Sequence, residues 1–310
     1  VTARTAARGR TREAPPAAGA EVMATGIVSV GLHLAGAGWP SVALLAVAAA
    51  LWAALGAGFA RRLARDRRGW ADDAATPAAL TGVAGTCVLG VRLSLLGWDA
   101  AAAVLLGGSA VLWAVLLPRV VRRLHGRVPG AAYLVCVSTQ SLVVLAGTLA
   151  VSLPARLLLW PAIALFVLGL VLYCAVLAQF DFGQLRTGAG DHWVAGGAVA
   201  ISALAAAKLT AAATSGQGVL RAAALALLAV ALAWYAVLVC CEIRWPRPHY
   251  DLRRWSTVFP LGMTAVATIT TGTVAHAGAL VTAGRVLLWP AVIVWAVVAA
   301  GAVRHRFSGG

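Results

Sequence analysis

Carboxylates are scarce in this chain. It has 310 residues, with ten Asp and Glu against 25 Lys and Arg, and charge of either sign makes up only 11%. Lysine occurs once, as Lys208. Soluble domains carry about 25% charged residues, so this chain lacks the polar surface of a soluble fold. No pair of Asp or Glu falls inside an apolar run, which leaves no acidic relay to couple a substrate to protons or sodium. The five cysteines, Cys87, Cys136, Cys174, Cys240 and Cys241, show no CxxC or Cys/His spacing. That excludes a sequence-readable zinc site or disulfide framework, and no metal or other cofactor is expected. A Walker-type phosphate loop, a nucleophile elbow and HExxH are also missing, so the sequence is not that of an enzyme built on those motifs.

What is present is apolar. Hydrophobic residues make up 61%, and the mean hydropathy is +0.88. A single soluble core cannot hide that much apolar surface. The chain therefore reads as an all-α polytopic membrane protein. Runs long enough to cross a bilayer occur at 19–36, 40–60, 77–97, 100–118, 131–151, 157–178, 193–213, 219–240, 256–276 and 286–303. These are segments 1 to 10 of one transmembrane domain, residues 18–304. It is preceded by a basic, Pro/Ala-rich arm over 1–17 that reads as disordered and cytoplasmic, and followed by a short cytoplasmic tail over 305–310. The arm and the apolar run behind it also have the outline of a signal peptide, but the topology works with the segment retained.

The net charge of +15 is a topology signal, not a duplex-binding face; no nucleic-acid partner is expected. Arginine clusters before segment 1 and in the 2–3, 4–5 and 8–9 connections, with Arg186 between 6 and 7 and Arg304 and Arg306 at the end. The other side has Arg156, Arg221 and Arg285, the last two at segment borders. By the positive-inside rule both termini are cytoplasmic, and a bacterial cytoplasmic membrane is the expected location.

A repeat runs along the chain. Trp39-Pro40, Trp160-Pro161 and Trp289-Pro290 each mark the expected outer start of an even segment, with Trp98-Asp99 as a variant. Trp52, Trp113 and Trp295 precede Arg61, Arg122 and Arg304 by the same interval. The unit is a helical hairpin, used five times.

Odd and even segments differ in kind. Odd ones are small and polar, as in "VMATGIVSVG", "TGVAGTCVLGVR" and "VSTQSLVVLAGT"; even ones are aliphatic with bulky aromatics, as in "AVLLGGSAVLWAVLL". Polar groups avoid lipid, and small residues let helices approach closely. Five odd helices inside and five even helices outside satisfy both tendencies, and the inner five would surround a path. Packing alone also accounts for small residues, though not for their segregation by parity.

Arg92 and Lys208 are the cations inside segments. Each lies roughly 15 residues in, or about 22 Å at the helical rise, in the outer third of a core about 30 Å thick. They suit an electropositive vestibule that concentrates anions; snorkelling to headgroups is the other account. Gln140, Thr25 and Thr268 are further pore-lining candidates, with interhelical bonding as the alternative for Gln140. Glu21 is either a proton-coupling carboxylate or an acid placed favourably at a helix N-terminus. His33 and His276 read as interfacial. His192, with Asp181 and Asp191, reads as a solvated loop face.

"VMATGIVSV" at 22–30, "GDHWVAGGAVAIS" at 190–202 and "RRWSTVFPLGMTAVAT" at 253–268 resemble the tellurite-resistance/dicarboxylate transporter family, which includes malate permeases, sulfite efflux proteins and the slow anion channels of guard cells. The resemblance runs from residue 15 nearly to the end. It implies a quasi-fivefold ring of hairpins with odd helices lining a pore, a homotrimer, and a pore plugged by the phenylalanine of a Phe-Pro motif, here Phe259, on a helix bent by Pro260 and Gly262. The run Pro15-Pro16-Ala-Ala-Gly-Ala-Glu21 departs from the family's Pro-Pro-Gly-Tyr-Phe pattern. The expected activity is passage of chloride, nitrate, sulfite or a C4-dicarboxylate. The alternatives are a proton-coupled carrier of tellurite-resistance type and a membrane-embedded enzyme or assembly factor.

Overall fold

The computed structural model describes residues 19–152, 156–247 and 251–308. The expected arm over 1–17 lies outside the described residues. Ten long helices carry the fold: α1 (Gly19–Leu34), α2 (Gly38–Arg65), α3 (Thr81–Ser94), α4 (Asp99–Val121), α5 (Leu134–Ser152), α6 (Leu159–Leu177), α7 (Val194–Ala212), α8 (Gln217–Arg244), α9 (Trp255–Val274) and α10 (Gly278–Ser308). Nine spans among the described residues are long and apolar enough to cross a membrane, and the shorter apolar α1 makes the tenth segment.

The odd–even division holds in space. In the spans that contain α3, α5, α7 and α9, between 67% and 89% of the most apolar stretch is buried; in those of α2, α4, α6, α8 and α10 the figure is 11% to 28%. Fourteen of the sixteen residues of α1 are buried too. Each odd helix packs on both odd neighbours, so that α1, α3, α5, α7 and α9 close on themselves, and the even helices pack around them. The even helices turn their aliphatic faces outward, as Val104, Val111, Val171, Val230 and Ile293 do. That is how chains immersed in hydrocarbon satisfy their backbones and bury polar groups.

Glycine makes the inner ring tight. At each of its five junctions a glycine faces the neighbouring helix so closely that a Cβ would touch it. Gly26 meets Val88 at 2.8 Å, Gly90 meets Leu145 at 2.8 Å, Gly147 meets Lys208 at 3.0 Å, Gly197 meets Pro260 at 2.8 Å and Gly262 meets Ile27 at 2.9 Å.

Between the rings, indoles do the joining. Trp52 on α2 donates Nε1–H to Thr86 Oγ1 on α3 at 2.8 Å. Trp113 on α4 does the same to Thr139 on α5 at 2.9 Å, and Trp295 on α10 to Thr25 on α1 at 3.1 Å. Each bond links one hairpin to the next, and the last one closes the circle. Aromatic residues recur at this position about every 60 residues, as Trp52, Trp113, Tyr173, Tyr235 and Trp295. The two tyrosines pack within their own hairpins, Tyr173 on Tyr133 and Tyr235 on Trp193.

One expectation is corrected. Trp289-Pro290 does not start the last helix, because α10 begins at Gly278 and Pro290 lies inside it. Trp39 and Trp160 do sit in the first turns of α2 and α6, where they are strongly exposed. At the other end, α10 runs through the start of the expected 305–310 tail to Ser308.

Candidate functional site

The odd helices enclose a cavity on the ring axis, in the half of the molecule farther from the arginine-rich face. Every odd helix supplies one stripe at helical spacing: Ile27, Val30 and Leu34 from α1; Cys87, Val88, Val91 and Leu95 from α3; Ser141 and Val144 from α5; Ile201, Leu204 and Lys208 from α7; Met263, Val266 and Thr270 from α9. The free space they bound is narrow, about 20 Å³, room for about one water molecule. Intervals of three and four residues put each set on a single helix face, so the cavity is a product of the fivefold packing. Its lining residues are aliphatic apart from Ser141, Thr270, Cys87, Met263 and Lys208. A lone cation in such a wall works against low dielectric, and its field is focused into the cavity.

Lys208 is thus placed in the cavity wall, where Gly147 of α5 packs against its Cβ. Arg92 is also buried, at 1% exposure, but its Nε donates to Ser41 Oγ on α2 at 3.1 Å. Ser41 and Ser29 in turn exchange hydroxyl-to-carbonyl bonds of 2.8 and 2.7 Å. The guanidinium therefore sits among α1, α2 and α3, beside the cavity stripe that Val91 belongs to.

The other expected lining residues are engaged elsewhere. Thr25 accepts the Trp295 indole N–H. Gln140 donates its amide to the Phe166 carbonyl on α6 at 3.1 Å, in a niche left by Gly169, whose Cβ would lie 2.5 Å from the amide nitrogen. Thr268 donates to Thr264 O at 2.7 Å and Thr264 to Pro260 O at 2.8 Å. These threonines satisfy themselves on their own helix, a common use of hydroxyls in apolar surroundings.

Phe259 is buried at 1% exposure. It precedes Met263, Val266 and Thr270 by four, seven and eleven residues, so it continues their stripe by one turn toward the arginine-rich face. Pro260 lies inside α9. It has no N–H for the Ser256 carbonyl, and its ring abuts Gly197 of α7. Gly262 faces Ile27 of α1. Glu21 is buried in the first turn of α1.

On the arginine-rich face, His192 and Asp191 are not on a solvated loop surface, contrary to expectation: they are 0% and 9% exposed. The chain folds this connection under α9, where Gly190 approaches the Arg253 carbonyl and Thr257 at a φ of +131°. Beside it, Glu242 at the end of α8 accepts from Arg247 at 2.8 Å and Arg254 at 2.7 Å, and more distantly from the Trp193 indole at 3.4 Å. Arg247 also donates to the Leu185 carbonyl at 2.8 Å. Sequence reasoning missed this knot, because it joins the end of α8 and the α8–α9 connection to the distant α6–α7 connection. No group of His, Cys, Asp and Glu able to hold a metal occurs among the described residues.

A family model described as voltage-dependent anion channel matches residues 13–303 of this chain. No curated protein matches it.

Proposed function

Because the chain belongs to the voltage-dependent anion channel family, we propose that it passes small anions across a cell membrane along the axis of its five odd helices. One observation carries this reading: the axial cavity is walled by all five odd helices, and Lys208 is among the residues that line it. An anion entering it exchanges water for the Lys208 ammonium and the Thr270 hydroxyl, while aliphatic side chains keep it from binding too tightly to leave; the Ser141 hydroxyl is held by the Val137 carbonyl of its own helix.

In this reading Phe259 is the gate. It is the bulky group on the α9 stripe next below the cavity. Pro260 removes one backbone hydrogen bond at that turn, and Gly262 gives α9 a bare face against α1, so the helix can bend there and swing the ring. Arg92 adds positive potential from behind the wall. Thr25, Gln140 and Thr268 hold the wall in place through the bonds they make to α10, α6 and α9. The arginine-rich face, with both termini, is cytoplasmic, and copies associate as trimers through even helices. Chloride, nitrate, sulfite and C4-dicarboxylates are the substrates to consider, and uncoupled flux is favoured over proton coupling because no carboxylate borders the cavity among the described residues.

The test is flux into liposomes that contain the purified protein, with chloride, nitrate, sulfite and malate supplied in turn. Phe259→Ala is expected to raise the rate for the transported anion. Lys208→Gln is expected to lower anion-over-cation preference, read as a shifted reversal potential in planar bilayers. An unchanged rate in folded Phe259→Ala protein removes the gate, and an unchanged reversal potential in Lys208→Gln removes the anion site.

A further inference from the structure

A second cavity, of about 320 Å³, opens where α7 and α9 end and α8 begins. Ala211 and Val274 form part of its wall. Ala211 follows Lys208 by three residues, and Val274 follows Thr270 by four. Both therefore continue the faces that line the axial cavity, and the second cavity is stacked on the first on its α7–α9 side, toward the face with few arginines.

Its chemistry differs from that of the cavity below. The polar groups are Arg221 on α8, His276 just after α9, and Gln217 and Thr210. Thr210 donates to the Ala206 carbonyl at 2.8 Å and Gln217 to the Ala213 carbonyl at 2.7 Å. The donors left for a ligand are the Arg221 guanidinium, the His276 imidazole and the second N–H of the Gln217 amide. No carboxylate borders the cavity among the described residues. His276 takes a φ of +53°, a left-handed backbone unusual for a side-chain-bearing residue. Gln217 and Gly218 open α8, so the positive end of that helix also faces this space.

We propose that this cavity is a collecting site for the transported anion: a small carboxylate or inorganic oxyanion is held between Arg221 and His276 and then passes down α7 to Lys208. A planar guanidinium suits the paired oxygens of a carboxylate or nitrate, and an imidazole N–H supplies a third donor. The site rests on the reading of the axial cavity as the conduction path. It adds that entry from this side has its own saturable step, set by α8 as well as by the pore-lining helices. The same anionic oxygens could be offered by a lipid phosphate, so the lipid is varied in the test.

The experiment measures nitrate and malate flux against concentration, in vesicles of pure phosphatidylcholine and in vesicles that also contain phosphatidylglycerol. Wild type, Lys208→Gln, Arg221→Gln, Arg221→Lys and His276→Phe are compared. Arg221 and His276 are exposed, so folding is expected to survive; the melting temperature in detergent verifies this. The site predicts that Arg221→Gln and His276→Phe raise the half-saturating concentration by roughly threefold in pure phosphatidylcholine, with maximal rate unchanged. Arg221→Lys restores most of the loss, and the effect shrinks at high ionic strength. An unaltered half-saturating concentration in both variants, with Lys208→Gln impaired, overturns the collecting site and leaves the conduction path standing. A defect seen only with phosphatidylglycerol also overturns it, assigning the cavity to a lipid headgroup. Absence of flux in the wild type removes the conduction path itself.

Discussion

An indole N–H in hydrocarbon finds its acceptor in protein or not at all. The three indole–threonine bonds follow from that, and each is expected to contribute about 1 kcal/mol. Trp295→Phe keeps the ring and removes the donor. It should lower the melting temperature in detergent, and Thr25→Val should do the same. Combining the two should cost less than the sum, since both remove one bond; additive losses would show that the pair is not coupled. The tryptophans were legible in the sequence, through their fixed interval to an arginine. Their partners were not, because Thr86, Thr139 and Thr25 lie at unequal distances along the chain. For the same reason Gln140 and Thr25 read as lining residues when only their type was visible. On a helix buried nearly all round, composition does not reveal which face a side chain takes.

Helices are distinguished here by what they touch. Odd helices meet other helices on most sides and are built from small residues, and even helices meet lipid on one side. That contrast was readable from composition alone. The ends of elements were less so: the apolar run of α10 is interrupted by Arg285, and tertiary packing carries the helix back to Gly278. Glycine positions carry a sharper prediction. Gly197→Leu sets a branched side chain against the Pro260 ring, where even a Cβ would approach to 2.8 Å. It should reduce the yield of folded protein or widen the α7–α9 gap enough to leak anions. Gly56→Ala on α2 meets nothing within 4 Å and should be neutral or slightly stabilising. A folded, wild-type-like Gly197→Leu would show that the inner ring is not as close-packed as the glycines indicate.

For the whole molecule, pseudo-fivefold symmetry was legible as a repeat of hairpins, and the site as a set of odd-helix residues; the axial cavity itself depends on all five helices meeting. The symmetry is incomplete in one respect. Among the described residues the indole bond links α2 to α3, α4 to α5 and α10 to α1, while the matching positions of α6 and α8 carry tyrosines turned toward their own hairpins. The α7–α8 hairpin is tied at its base, where Glu242 gathers Arg247 and Arg254, and at mid-height it meets α5 through Cys136 and Ser202 rather than through an indole. Lys208 and Arg221 both lie on this hairpin. Hydrogen exchange should accordingly run faster at the ends of α7 and α8 nearest the 213–216 turn than at the ends of α1 and α2 nearest the 35–37 turn. The hairpin fastened differently from the rest is thus the one that carries two cations at successive depths.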